Sequence, residues 1–233
     1  WSGPRNISTA MMRAWENRPD CAVMDEPFYA AYLAETGLAH PMRAEILAAH
    51  ETGWEAAARA CETAAGAPIV YQKHMCQHMI PGAPTAWMAA CRHAFLIRPP
   101  EEVAPSFLAG WPEAGRADLG FDRQAALFDR VRAETGRTPP VIAARDVQRA
   151  PEAALGALCE ALGVAFDRSM LAWPAGPRGS DGVWAAHWYG RVAASTGFGP
   201  PRAEVPVPEE LAPLVAACRP AYAHVAAHAL AIG

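Results

Sequence analysis

Four short runs of this chain are apolar at every position: Ala22-Val23-Met24, Pro68-Ile69-Val70-Tyr71, Ala94-Phe95-Leu96-Ile97 and Val141-Ile142-Ala143-Ala144. A strand with one wet face alternates polar and apolar residues. A strand apolar throughout must be covered on both faces, as happens in a parallel sheet flanked by helices. The stretches between these runs read as helices, at about 8–17, 28–36, 51–65, 84–91, 100–110, 121–135, 151–162, 183–195 and 208–230. Thr52–Ala64 and Asp122–Glu134 have the clearest amphipathic spacing, and Pro151-Glu152 opens a helix that Gly163 closes. Pro213 and Pro220 kink or split the last stretch. Strands alternating with helices predict an α/β fold, a doubly wound, mostly parallel sheet with helices on both faces. With 233 residues, 52% of them hydrophobic, one domain over 1–233 is expected.

A net charge of −4 argues against a broad grip on nucleic acid or on an anionic membrane. No run of about 18 apolar residues is present, so no membrane helix is expected. No signal-peptide pattern is legible, and the six scattered cysteines form no C-x-x-C pair, so reduced thiols and a cytoplasmic location are expected. Of 20 basic residues only Lys73 is lysine, the compact point charge that arginine cannot imitate.

Near the N-terminus, Ser2-Gly3-Pro4-Arg5-Asn6-Ile7-Ser8-Thr9 leads into a helix. A turn, a basic side chain and two hydroxyls at a helix start make an anion site, because free N–H groups and a partial positive charge meet there. This is not a Walker A loop, which needs a second Gly followed by Lys. Such a loop hangs from the end of a buried strand, so apolar residues upstream of Trp1 are expected to complete one. Arg98 ends the third strand, where α/β sheets bind ligands, and Ser106 follows eight residues later on a helix that returns to the same mouth. Pro174–Gly182 is the most loop-like segment of the chain.

In this order and spacing the motifs resemble the sulfotransferase branch of the P-loop fold, over residues 2 to about 190. Pro4-Arg5-Asn6-Ile7-Ser8-Thr9 resembles the family's 5′-phosphosulfate loop. Arg98 and Ser106 resemble its 3′-phosphate site. Arg178-Gly179-Ser180-Asp181-Gly182-Val183-Trp184 resembles the late basic loop that closes over that phosphate. The Ser-Gly-Pro-Arg-Asn-Ile-Ser-Thr opening is similar to that of a little-characterised bacterial subgroup. The resemblance implies 3′-phosphoadenosine 5′-phosphosulfate (PAPS) as donor, bound by Gly3 to Thr9, Arg98, Ser106, Arg178, Gly179 and Trp184, with no metal required. It also implies sulfuryl transfer to a hydroxyl or amine of a small-molecule acceptor. The chain departs from the family pattern at Ile7, where the family usually has Gly, and in having one basic residue, Arg178, where the late loop usually has two.

The transfer needs a base and positive charge on the transferring group and leaving oxygen. Glu26, at the end of the first strand run, is the leading base and His74 the other candidate. Lys73 is placed on the sulfuryl group and Arg5 on the leaving phosphate. Strand alternation would turn Asp25 away from Glu26. His74, Cys76 and His78 share one face if extended but lack a convincing fourth ligand, so no metal site is expected. Trp184 reads as core packing more readily than as an adenine platform. The last segment's apolar stripe, including Leu211, Leu214 and Tyr222, would pack on the domain or on a second copy as a homodimer. A P-loop small-molecule kinase and a non-catalytic nucleotide-binding module are the alternatives.

Overall fold

Pairing in parallel puts the carboxyl ends of strands on one edge, and that edge organises this molecule. The structure is a computed structural model that describes residues 1–201, 203 and 206–232. In chain order, α1 (Ser8–Glu16) precedes β1 (Cys21–Asp25), and α2 (Tyr29–Thr36), α3 (Arg43–Ala49) and α4 (Trp54–Glu62) lead to β2 (Ile69–Lys73). β3 (Phe95–Ile97) is followed by α5 (Pro100–Leu108), α6 (Arg116–Leu119) and α7 (Phe121–Thr135). β4 (Val141–Ala143) runs into α8 (Ala144–Arg149) and α9 (Pro151–Leu162). Two one-turn helices, α10 (Ala185–Trp188) and α11 (Gly190–Ala193), and the long α12 (Ala212–Ala226) complete the chain.

β1 and β2 pair in parallel, Cys21 opposite Ile69 through Asp25 opposite Lys73. β3 and β4 pair in parallel, Phe95 opposite Val141. Residues 1 and 2 join the two small sheets. The Ser2 N–H donates to His74 O (3.1 Å), the Cys76 N–H donates to Ser2 O (2.8 Å) and the Leu96 N–H donates to Trp1 O (2.8 Å). Ser2 therefore forms parallel bridges to Met75 on one side and Leu96 on the other.

Successive β3 side chains face opposite cores, as the strand pleat requires. Phe95 and Ile97 pack with Ala57 of α4, Phe128 and Val131 of α7 and Val225 of α12. Leu96 packs with Met11 and Trp15 of α1 and with Leu155 and Leu158 of α9. The fold is thus mixed α/β, with small parallel sheets and helices on both sides of β3. Local chemistry sets the helix ends. Pro100 and Pro151 sit in first turns, where a missing N–H costs nothing, and α9 stops at Gly163 with φ +65°.

The structure departs from the sequence expectation in several places: the expected helix at 84–91 is a 3₁₀ helix, Ala86–Ala90, and α3 and α6 lie where no helix was expected. β1 and β2 are half-buried rather than covered on both faces. Ala144 opens a helix instead of closing β4. The expected helix 183–195 breaks at Tyr189, whose side chain turns into a buried polar cluster. Pro213 lies in the first turn of α12, so the last stretch divides before it into a 3₁₀ turn, Glu209–Leu211, and the helix proper. Among the described residues no helix is long and apolar enough to cross a membrane, and all six cysteines are free.

Phe128 is fully buried and meets Phe95 edge to face at 5.4 Å. Phe128→Ala is expected to cost about 3–5 kcal/mol, the usual range for emptying a filled aromatic site. Urea unfolding that shows less than 1 kcal/mol, on the order expected for surface positions, would mean that this core does not carry the fold.

Candidate functional site

At the carboxyl edge of the strands lies a cavity of about 400 Å³, lined by Pro4 to Thr9, Glu26, Lys73, Arg98 and Ser106 among others. The loop after Ser2 reaches it in a strained conformation. Arg5 (φ +60°) and Ile7 (φ +57°) are both left-handed. Glycine adopts that region freely and a β-branched residue does not. Ile7 therefore takes the backbone shape that a glycine would give, at a cost held in place by its surroundings. Gly3 lies beneath the loop, where a Cβ would come within 3.1 Å of Leu119 O. The Asn6 amide donates to Leu96 O (3.1 Å), while its buried Oδ1 has no partner. Ser8 and Thr9 open α1, whose first turn contains no acid. The free N–H groups there face the cavity end of the helix dipole.

Three arginines gather beside this loop. Arg98 donates to Arg5 O (2.9 Å) through Nη1 and to Glu102 (2.8 Å) through Nε. Arg145 also donates to Glu102, at 3.1 Å. Arg5 Nε donates to Ser106 Oγ at 3.0 Å, so α5 does return its hydroxyl to the strand mouth. Burial first, and then the charges of Arg191 and Arg98, hold Arg5 below the ordinary guanidinium range. Among the described residues no carboxylate pairs with Arg5 or Arg191. Arg98 and Arg145 share Glu102, which leaves Arg5 and Arg191 as guanidinium groups near a helix start that an anion can meet.

The second half of the cavity is a buried ion cluster. Lys73 Nζ, at the end of β2, donates to Asp25 Oδ1 (2.9 Å), to Glu26 Oε1 and to Tyr189 Oη. The Tyr189 hydroxyl donates to Asp25 (2.8 Å), and Trp184 Nε1 donates to Tyr189 Oη (3.0 Å). Asp25 and Glu26 do not diverge as strand alternation predicts. Glu26 has φ +44°, so the strand ends there and both carboxylates turn onto one ammonium. Burial raises the Glu26 carboxyl, with Lys73 acting against the rise. Lys73 is held well above its ordinary value, because Asp25 and Glu26 overcome its own burial. Glu26 Oε1 is committed to Lys73 and Tyr189. Oε2 accepts no hydrogen bond among the described residues and lies 3.9 Å from His78 Nδ1.

Pro4 to Thr9, Glu26, Lys73, Arg98 and Ser106 are thus brought together. His74 is not. It follows Lys73 on the extended chain and points to the opposite side, where it stacks on Trp1 (4.7 Å) and tilts against Trp87 (4.9 Å) and Phe28. Burial keeps it neutral, well below its usual value. Arg178 and Gly179 do not line the cavity either. Asp181 pairs with the buried Arg13 of α1 and accepts from the Arg178 N–H, so the loop is held near the far end of α1. Trp184 packs behind Tyr189, fully buried. His74, Cys76 and His78 do not converge, and no group of three or more metal-ligating side chains occurs among the described residues. Sequence reasoning missed Arg191, Tyr189 and His78 as lining residues. Their only signal was position: Tyr189-Gly190-Arg191 interrupts a helical pattern, and a helix break late in the chain can return to a site.

Comparison with known proteins agrees with the motif resemblance. A family model described as "Sulfotransferase domain" matches residues 1–229. Two Arabidopsis thaliana proteins, branched-chain-amino-acid aminotransferase-like proteins 1 and 2, are 37% and 36% identical over 203 residues, which is 87% of this chain and 36% of each of theirs. The chain therefore spans about a third of the length of these curated relatives. In fold it is similar to the solved sulfotransferase domain from the curacin biosynthetic pathway, with a TM-score of 0.50 over 94% of this chain and 95% of that one, at 16% identity.

Lys73→Met would leave two buried carboxylates without their cation. A loss of about 3–5 kcal/mol at neutral pH is expected. The uncompensated carboxyls would titrate above their unfolded values, so the penalty is present above the unfolded carboxylate pKa and shrinks as falling pH protonates them in the native state. Urea unfolding at pH 7 and pH 5 should show a smaller gap from wild type at pH 5. A gap that grows on acidification would contradict the cluster.

Proposed function

This chain belongs to the sulfotransferase domain family, and from that membership we propose that it moves a sulfuryl group from PAPS to a hydroxyl or amine of a small-molecule acceptor, with Glu26 as the base. One observation carries the proposal. A single cavity holds two guanidinium groups, Arg5 and Arg191, with no carboxylate partner among the described residues, and a buried carboxylate, Glu26, with one oxygen free. Bound there, PAPS would supply an activated sulfuryl group on a good leaving phosphate.

The residues present suit such a donor. The loop from Gly3 to Thr9 and the start of α1 offer backbone N–H groups to its 5′ end. Arg98 and Ser106 would hold the 3′-phosphate, and Arg5 between them the leaving phosphate. Arg191 supplies the late-chain positive charge that the sequence reading assigned to Arg178. Lys73 keeps a fixed positive charge beside the acceptor end, oriented by Asp25 and Tyr189 rather than free to swing. Charge is met by side chains throughout, so this reading calls on no metal ion. The finer architecture belongs to the same proposal: one P-loop-type, doubly wound domain with strand order β1, β2, Trp1-Ser2, β3, β4.

The names of the Arabidopsis relatives raise aminotransferase chemistry, which needs a neutral lysine amine to form a Schiff base. Lys73 is the chain's only lysine. Two carboxylates hold it protonated, and that favours a charge-stabilising role over a nucleophilic one.

Calorimetric titration with adenosine 3′,5′-bisphosphate, beside AMP and magnesium-ATP, tests the donor. Binding that depends on the 3′-phosphate is expected, and Arg98→Ala should weaken the bisphosphate by at least roughly tenfold while leaving AMP little changed. Preference for magnesium-ATP would move the reading to a phosphotransferase. Glu26→Gln should lower turnover roughly 10²–10⁴-fold with donor binding intact. Because Glu26 must be ionised to take a proton and its carboxyl is raised, the acid limb of the kcat/KM profile should lie above the ordinary value of 4.5. A limb at or below that value would remove Glu26 as the base.

A further inference from the structure

Three buried polar atoms of the cavity lining near Glu26 have no hydrogen-bond partner among the described residues, Gln77 Oε1, Trp188 Nε1 and His78 Nδ1, and of these His78 faces the base. His78 sits on the 3₁₀ turn that follows β2 and is 4% exposed. Its ring is clamped between Tyr29, stacked at 4.4 Å, and Tyr32, stacked at 4.9 Å. Its Nδ1 is fully buried with no hydrogen-bond partner and faces Glu26 Oε2 at 3.9 Å. That separation is too long for a direct hydrogen bond. It is also short enough for one small atom to touch both groups, since an oxygen about 2.8 Å from each would span it.

We infer that His78 is the second acceptor-holding residue of this site, donating from Nδ1 to the same atom that gives its proton to Glu26 Oε2, and that this pair selects hydroxyl over amine acceptors. The inference rests on the sulfuryl-transfer reading and narrows it. A neutral imidazole carries one ring proton, and with a carboxylate opposite Nδ1 the proton resides there. Burial, with the charge of Lys73 and neighbouring imidazoles adding to it, keeps the ring neutral. The clamp of two tyrosines fixes its plane, so the donor direction is set before an acceptor arrives.

The count of protons and lone pairs decides the selectivity. A hydroxyl has one proton for Glu26 Oε2 and two lone pairs. One pair accepts from His78, and the other remains to attack sulfur. As the new O–S bond forms, the bond between sulfur and the 5′-phosphate oxygen breaks, its electron pair leaves with the phosphate, and the hydroxyl proton passes to Glu26. A neutral amine has a single lone pair. Donation from His78 would occupy the pair that must reach sulfur, and turning that pair to sulfur would leave the buried Nδ1–H unpaired, which disfavours an amine roughly 10–100-fold.

The ¹⁵N-labelled chain, saturated with adenosine 3′,5′-bisphosphate at pH 7, reads the tautomer directly. Long-range ¹H–¹⁵N correlation should show His78 neutral with its proton on Nδ1, the signals being assigned by their loss in His78→Phe. A proton on Nε2, or a doubly protonated ring, overturns the inference. With PAPS and matched alcohol and amine acceptors of the same carbon skeleton, the alcohols should turn over roughly 10–100-fold faster than the amines. Amines consumed at comparable rates would overturn it. His78→Phe keeps the stack and removes the donor, so alcohol turnover should fall roughly 10–100-fold with bisphosphate affinity unchanged. His78→Asn, which places an N–H near the old Nδ1, should recover part of the loss. Wild-type turnover in His78→Phe would refute the role. The two readings fail separately: absent bisphosphate binding removes the sulfotransferase reading, while intact binding with an Nε2 proton removes only this one.

Discussion

Lys73 is the charge around which the site is assembled. Its Nζ, buried at the end of β2, meets carboxylates from β1 and the following residue and the phenol of Tyr189, 116 positions later in the chain. An isolated buried ammonium would be costly enough to lose its proton. Here three partners keep it charged, and in exchange it fixes their positions. Lys73 sets Glu26 Oε1, and the Tyr189 hydroxyl that it holds reaches back to Asp25. The helix break between α10 and α11 follows, because the chain must stop at Tyr189 for its hydroxyl to enter the cluster. That break also delivers Arg191 to the cavity. Arginine would not substitute. A planar guanidinium projects its donors as a fork, whereas three partners converging on one point suit a compact ammonium.

Backbone strain is concentrated where that cluster meets the loop. Of the four non-glycine residues with positive φ among the described residues, Arg5, Ile7 and Glu26 line the cavity. Each left-handed residue costs on the order of 1–3 kcal/mol, so the surrounding contacts have to over-determine it. Those contacts are visible. Arg98 binds the Arg5 carbonyl, Asn6 is tied to Leu96 O, and Lys73 holds Glu26 by its side chain and by its carbonyl, which accepts the Glu26 N–H at 2.9 Å. Strain at these three points turns Arg5 and Glu26 toward one space from opposite sides.

Much of the fold was legible in the sequence for a local reason. β3 is apolar at every position and fully buried, and α7 and α9 begin and end where their periodicity, prolines and glycines say. Of the motif elements now seen in one cavity, Glu26, Lys73 and Arg98 were legible because each sits at a strand end, the Pro4–Thr9 loop because it opens a helix, and Ser106 because the helix after β3 returns to the same mouth. What could not be read was decided by distant partners. Asp25 was expected to point away because alternation holds only while the strand continues, and Glu26 ends it. Arg178 looked like the late basic residue because it lies in the most loop-like segment. Asp181 instead binds Arg13, and that pairing carries the segment elsewhere. His74 directly follows Lys73, and neighbours on an extended chain face opposite ways, so the same rule that misplaced Asp25 places His74 correctly in the aromatic stack.

The two positive regions of the cavity differ in kind. Arg5 and Arg191 have no carboxylate partner among the described residues, so their charge is available to a ligand, and burial first and then the repulsion of Arg191 and Arg98 lower the Arg5 guanidinium. Lys73 is already paired with two carboxylates, so it adds little to the affinity for an anion as such. Its field instead acts on charge that shifts during reaction within a few ångströms of it. A site that bound anions indiscriminately would place its free charges evenly. This one places free arginines beside the helix start and a compensated lysine beside Glu26, an arrangement that suits the proposed polyanionic donor at one end and the proposed uncharged acceptor at the other.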